Sequence, residues 1–145
     1  MIEYITMETI RGLPSTFTVK LFVCILDLLP DKCILQISDY IYQAFPEGDF
    51  SSLMPFFICE KEAAYYFILS KECLSILKTK LLNDCDLIHY FVHYEIHRQG
   101  KILMRVYDET IFVLTPMFHI PEALVHECEQ ERIWIYIENE IKREW

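Results

Sequence analysis

Three histidines, His89, His93 and His97, recur at intervals of four residues and form the clearest set of side chains for a shared metal ion. On an α-helix each step of four residues rises by about 6 Å along one face, a spacing that suits zinc. Residues 87–97, however, alternate between apolar and polar types, which predicts a β-strand. Residues four apart in a strand are separated by about 13 Å, too far for one ion. We interpret the histidines as the polar face of a sheet, and a metal site completed by ligands from elsewhere is the alternative.

The cysteines offer little for catalysis or metal binding. Six cysteines stand singly, 9 to 43 residues apart, and no Cys-x-x-Cys pair occurs. In His126-Glu127-Cys128 a thiol follows an imidazole closely, but neighbouring positions on a helix point in different directions. We expect buried or partly buried free thiols that act as small apolar side chains.

Motifs for nucleotide binding and hydrolysis are absent. The Walker A loop, the dinucleotide-binding glycine fingerprint, the HExxH zinc motif and the GxSxG nucleophile elbow do not occur, and the 3 glycines are isolated. The sequence therefore predicts no cofactor and no catalytic site of a familiar type.

Acidic residues lie beside aromatic ones in a pattern typical of protein interfaces, where aromatic anchors supply burial and charges steer the approach. One group flanks the aromatic segment 50–57, and a second group lies in the C-terminal segment, predicted to be helical. The candidate partner-binding residues are Glu47, Asp49, Phe50, Glu60, Glu62, Glu127, Glu131 and Glu138.

The net charge of −9, from 13 basic and 22 acidic residues, restricts the class of partner. Nucleic-acid binding usually leaves a basic surface, and anionic membranes also select basic proteins. We therefore expect no direct nucleic-acid or membrane binding, whereas a basic protein would be attracted. Residues 1–72 carry a net charge of −5 and residues 121–145 carry −4, so the acidity lies towards the two ends. The alternative is that this charge serves solubility alone.

In the first half of the chain, apolar spacing and turn residues predict three helices and one strand. Helices are expected over 15–29 and 31–44, because apolar residues recur at helical spacing and prolines follow both segments. Residues 50–62 are expected to be irregular, with a short buried strand over 64–69. Ser70 is the predicted N-cap of a helix that continues to about residue 82.

The second half is predicted to contain a three-stranded antiparallel meander over 87–115, because alternating segments are separated by Gln99-Gly100 and Asp108-Glu109. The segment 121–143 fits both a helix and, beyond residue 131, a strand; its Glu- and Lys-rich flanks favour the helix. The predicted fold is α+β, with helices on one face of a small antiparallel sheet, in a single domain over 1–145.

The N-terminus lacks a basic cluster, and the best apolar run, 21–29, is interrupted by Asp27. We therefore expect neither an export signal nor a membrane span, and place the protein in the cytoplasm. The leading hypothesis is a binding protein of the immunity or antitoxin type that masks a basic partner such as a nuclease toxin. The alternatives are an acidic chaperone or adaptor for a secreted effector, and a small metal-dependent enzyme.

Overall fold

The computed structural model describes residues 4–8, 15–40, 45, 47–107, 111–115, 121–130 and 134–138. Its regular elements are eight strands, three α-helices and two 3-10 helices. The strands are β1 Tyr4–Glu8, β2 Ile34–Tyr40, β3 Phe57–Lys61, β4 Ala64–Ile68, β5 Phe91–Arg98, β6 Lys101–Tyr107, β7 Ile111–Leu114 and β8 Trp134–Glu138. The helices are α1 Ser15–Leu28, α2 Lys71–Asn83 and α3 Glu122–Gln130, and the 3-10 helices are Ser51–Phe56 and Cys85–Tyr90.

All eight strands belong to one sheet in the order β3-β4-β2-β5-β6-β7-β1-β8, and every pairing is antiparallel. The predicted α+β class and the meander of β5, β6 and β7 are confirmed, although β5 begins at Phe91 rather than at residue 87 and the sheet is larger than expected. The turn at Gln99-Gly100 is also confirmed, with positive φ at both residues. The second predicted turn, at Asp108-Glu109, lies outside the described residues.

The helices cover one face of the sheet, because alternate strand residues and one side of each helix share a single core. Leu35 and Ile37 of β2 lie in this core with Phe22 of α1 and Leu77 of α2. Phe22 meets Tyr94 of β5 edge to face, with ring centroids 5.4 Å apart. No helix in the described part of the chain is long and apolar enough to cross a membrane.

Helices α1 and α2 begin and end close to their predicted positions. The Ser70 hydroxyl accepts a hydrogen bond from the backbone N–H of Cys73 at 3.2 Å, which satisfies one of the unpaired donors at the start of α2. Leu77 and Leu81 of α2 are fully buried, as their spacing predicts.

The predicted helix over 31–44 is wrong, since residues 34–40 form the central strand β2. The spacing of Ile34, Ile37 and Ile41 suits a helix, whereas Leu35 and Ile37, two residues apart, suit one face of a strand, so the apolar pattern fits both periods. Pairing with β4 on one side and β5 on the other satisfies the β2 backbone, and β-branched side chains suit that setting. Residues 41–44 of the predicted helix lie outside the described residues.

Two further predictions are corrected. Residues 50–62 are regular over most of their length, as the 3-10 helix Ser51–Phe56 followed by β3. The C-terminal helix ends at Gln130, and the following residues return as β8, which pairs with β1. The alternation of isoleucines after residue 131 therefore indicates a strand, because β1 offers a free edge that only the folded chain provides.

Candidate functional site

The strongest candidate site is the edge of the sheet formed by β3. Among the strands that the structure describes, β3 pairs only with β4, and all five of its side chains are exposed. Phe57 is 36% exposed and Ile58 is 43% exposed, both large values for apolar side chains. An edge strand leaves one row of backbone N–H and C=O groups without a strand partner. The sequence does not predict this edge strand, because residues 50–62 show no regular alternation of apolar and polar residues.

Strand β3 is joined to β4 by a two-residue turn that lacks the usual residues. Lys61 pairs with Ala64, so Glu62 and Ala63 form the turn, and both have positive φ, 53° and 63°. Asn-Gly or Asp-Gly is preferred in such turns because residues with a Cβ atom are strained at positive φ. The missing glycine explains why the hairpin is not predicted from the sequence.

An aromatic cluster supports this edge from the helical side of the sheet. Phe57 lies 5.5 Å from Tyr65 and 6.1 Å from Phe67 between ring centroids. Phe45 contacts Tyr65 and Phe67 in turn, at 5.2 and 5.1 Å. Phe57 is thus the exposed end of a buried aromatic group, which holds the ring in place.

Phe50, a candidate partner-binding residue, belongs to the interior of this cluster. Its side chain is fully buried, with a centroid distance of 4.5 Å to Phe91. Because no part of the ring reaches the surface, the assignment of Phe50 to a partner surface is corrected to a core role. The exposed aromatic next to the acids is Phe57.

The four other candidates in this region, Glu47, Asp49, Glu60 and Glu62, are all exposed. Two of them border the aromatic cluster. Burial and a hydrogen bond with Tyr65 raise the pKa of Tyr40 to about 12, with a further contribution from the Glu60 carboxylate. A hydrogen bond to Asp49 raises the pKa of the Tyr90 phenol. The edge therefore carries carboxylates at the border of an apolar surface.

The second predicted acidic group does not form on one helix. Glu127 lies on α3 and makes an ion pair of 3.0 Å with Lys20 of α1. Glu138 lies in β8, where its backbone is in register with Tyr4. Glu131 lies outside the described residues. The assumption of a continuous C-terminal helix is the reason this grouping is wrong.

The histidines are divided between two elements. His93 and His97 lie on β5, whereas His89 lies in the 3-10 helix Cys85–Tyr90. The imidazole Nε2 of His89 is 2.7 Å from the hydroxyl of Ser15, and this contact ties the start of α1 to that 3-10 helix. His93 lies 4.0 Å from Asp39. In the described part of the chain, no group of three or more His, Cys, Asp or Glu side chains is arranged to hold a metal ion.

The open face of the sheet carries an ion pair whose burial the sequence does not predict. Glu95 of β5 and Arg105 of β6 are directly opposite in register, and each side chain is 9% exposed. The alternation of β5 places Glu95 on the predicted polar face, but burial of that face depends on the neighbouring strands. Gln36 and Val113 flank the pair in the same row.

The thiols of the five described cysteines are free, and two of them, Cys33 and Cys73, are buried. Burial raises the pKa of the Cys73 thiol to about 12 and also raises the pKa values of Cys24 and Cys33. A raised pKa disfavours the thiolate, which is the reactive form. Cys59, in the middle of β3, is exposed. The side chain of Cys128 lies outside the described set, so its predicted proximity to His126 stays a prediction.

The helical face carries another apolar patch, at Leu28 of α1 and Leu82 of α2, both exposed. The charged side chains around this patch include both lysines and carboxylates. Lys78 pairs with Asp27 at 2.6 Å, and Lys20 pairs with Glu127 at 3.0 Å. This patch offers a basic partner no excess of negative charge, in contrast to the β3 edge.

Comparison with protein-family models, with curated proteins and with solved structures found no match. The β3 edge combines backbone groups that no described strand pairs, exposed apolar side chains and carboxylates. These are components of a protein interface.

Proposed function

We propose that this protein is a binding and neutralising protein of the immunity or antitoxin type, which masks a basic partner such as a nuclease toxin. The observation that carries the proposal is the exposed β3 edge, where Phe57 and Ile58 lie on the same strand as Glu60 and Lys61, and Glu62 follows in the turn. Apolar side chains of this size supply burial, and the carboxylates select a positively charged surface.

The charge of the whole chain supports the same class of partner. At −9 the protein attracts a basic protein over a long range and repels phosphate backbones and anionic lipids. The active site of a nuclease is basic because it binds phosphates, so an acidic protein that covers it competes directly with the substrate.

The proposal places the protein in the cytoplasm, where a toxin-producing cell needs protection. The five described cysteines are free thiols, although Cys24 and Cys85 are only partly buried and Cys59 is exposed. Free thiols suit a reducing compartment.

A second candidate function is a chaperone or adaptor for a secreted effector. The β3 edge favours it as well, because a free strand can hold an extended segment of an unfolded client. This function predicts a stable homodimer, and light scattering that shows a monomer would exclude it.

The decisive experiment is co-expression of the tagged chain with the products of its neighbouring genes. We expect a basic protein to co-purify with it, to have nuclease activity when alone, and to lose that activity in the complex. If no neighbouring product binds, or if the bound product retains full activity, the proposal is wrong.

A pair of charge-reversal variants tests whether the β3 edge makes the contact. Glu60→Lys with Glu62→Lys reverses two exposed charges at the edge, and Glu72→Lys with Glu122→Lys makes the same change at exposed positions of α2 and α3. We expect the first pair to weaken binding at least about tenfold more than the second, which corresponds to about 1.4 kcal/mol. Equal losses would show that only the net charge matters.

A further inference from the structure

Strand β3 closes one end of the sheet order, and its backbone pairs on one side only, with β4, within the described part of the chain. Its five residues are long enough to form a ladder with an extended segment, although the pairing with β4 shifts register between Phe57 and Cys59. Strand addition of this kind derives affinity from backbone hydrogen bonds and specificity from alternate side chains.

The side chains along this edge are not uniform. Phe57 and Ile58, together with Ile68 of the adjacent strand, expose apolar surface where β3 begins. Glu60, Lys61 and the turn residue Glu62 lie where β3 ends, and all three are exposed. The edge is therefore apolar at its start, whereas its end carries an excess of one negative charge, and this polarity gives an added strand a preferred direction.

The sheet favours the antiparallel direction, since every pairing in it is antiparallel. In an antiparallel pair the first residues of the added strand lie opposite Glu60 and Glu62, and the last residues lie opposite Phe57 and Ile58. Opposite charges and apolar pairs directly across strands are stabilising. The matching segment is thus basic at its N-terminal end, because the carboxylates of Glu60 and Glu62 outnumber the ammonium of Lys61, and apolar at its C-terminal end.

A second copy of this chain fits the edge poorly. An antiparallel β3–β3 pair centred on Cys59 places Ile58 of one copy opposite Glu60 of the other, so apolar surface meets charge. Each copy also carries a net charge of −9, which opposes association.

We infer that the partner docks on β3 through an extended segment, basic at its start and apolar at its end, that adds antiparallel as a ninth strand. This inference rests on the proposed function, since it describes how the basic partner is held. It extends that function by assigning the contact to backbone pairing at one edge of the sheet.

The test uses a synthetic segment of this pattern, acetyl-Lys-Arg-Lys-Val-Thr-Val-Ile-Val-amide, called the forward peptide. The reversed peptide has the same residues in the opposite order. Two further versions of the forward peptide carry N-methyl groups at the odd or at the even positions. Because alternate residues of a strand direct their N–H groups to opposite sides, only one of these two sets faces β3.

We expect the forward peptide to bind the intact protein and to slow amide exchange in β3. The reversed peptide should bind at least about tenfold more weakly, and one methylated version should lose binding while the other retains it, as expected when two or more hydrogen bonds are removed. Equal binding of the forward and reversed peptides, equal binding of both methylated versions, or no binding of the forward peptide would overturn the inference.

Variants of the protein provide the matched control. Ile58→Asp places a charge on the edge, and Leu82→Asp makes the same change at an exposed position on α2. We expect only Ile58→Asp to abolish peptide binding, and equal effects would contradict docking at β3. Oxidation that yields a Cys59–Cys59 dimer in place of a peptide complex would identify a second copy as the occupant.

The two proposals fail in different ways. If the basic partner binds and is inhibited, but the methylated peptides bind alike, strand addition is wrong and the proposed function stands. If the peptides behave as expected but no neighbouring gene product is inhibited, the edge binds segments and the neutralising function is wrong.

Discussion

Arg105 donates two hydrogen bonds to one carboxylate oxygen of Glu95 on the neighbouring strand, from Nη2 at 2.6 Å and from Nε at 2.8 Å. Both side chains are almost fully buried. Removal of one partner leaves a buried charge without compensation, so we expect Arg105→Met to lower the free energy of unfolding by about 3–5 kcal/mol. Urea denaturation at neutral pH measures this loss.

Two controls separate the buried pair from ordinary surface ion pairs. The double variant Glu95→Leu with Arg105→Met removes both charges and should recover most of the lost stability. Lys78→Met breaks the more exposed pair with Asp27 and should cost less than about 1 kcal/mol. A loss in Lys78→Met as large as that in Arg105→Met would contradict the assignment.

The two hairpin turns should respond oppositely to exchange of alanine and glycine. Ala63 and Gly100 hold corresponding positions in two-residue turns, with φ of 63° and 79°. Ala63→Gly should stabilise the protein by up to about 1 kcal/mol, because glycine is unstrained at positive φ.

Gly100→Ala should destabilise the protein by about 1–2 kcal/mol. An added Cβ at Gly100 meets no atom within 4 Å, so backbone strain is the whole cause. Thermal unfolding of both variants tests the pair, and a shift of the same sign in both would show that strain does not decide their stability.

Phe50 should contribute mainly to the stability of the fold, whereas Phe57 should contribute mainly to partner binding. Phe50 is fully buried, so Phe50→Ala should lower the free energy of unfolding by about 3–5 kcal/mol. Phe57 is partly exposed, and Phe57→Ala should cost less than about 2 kcal/mol while it weakens partner binding. Denaturation and binding assays on both variants measure this division. Comparable stability losses would place Phe57 in the core as well.

His97 should cause the free energy of unfolding to decrease as the pH is lowered from neutral to mildly acidic values. Burial lowers the pKa of His97 below its ordinary value of 6.5, and the Glu95 carboxylate opposes this shift. The folded state then binds fewer protons than the unfolded state, so the stabilising contribution is complete above the unfolded pKa and is lost as the pH falls through the folded pKa.

We therefore expect His97→Gln to reduce the loss of stability between about pH 7.5 and about pH 5. His126→Gln on α3 serves as a control for the removal of an exposed imidazole. Urea denaturation at several pH values gives the comparison. If the two variants change the pH dependence equally, burial of His97 is not its source.

The sequence predicts those elements whose signals are local. The signals for the N-cap at Ser70, the Gln99-Gly100 turn and the strand β5 come from residues close in the chain, and all three features are found. The segment 31–44 is mispredicted because its apolar spacing fits two periods, and only β4 and β5 decide between them. The candidate site is found in part: the exposed acids Glu60 and Glu62 were named, but the strand that carries Glu60 was not.

The sequence by itself determined the α+β class, the acidity and the position of the Gln99-Gly100 turn, because composition and short-range sterics specify them. Tertiary structure alone decided that residues 57–61 form the outer strand, that Phe50 is buried while Ile58 is exposed, and that the Glu95–Arg105 pair is buried. These features depend on which strands become neighbours, and strand pairing joins residues far apart in the chain. A free edge exists only once the order of all strands is fixed.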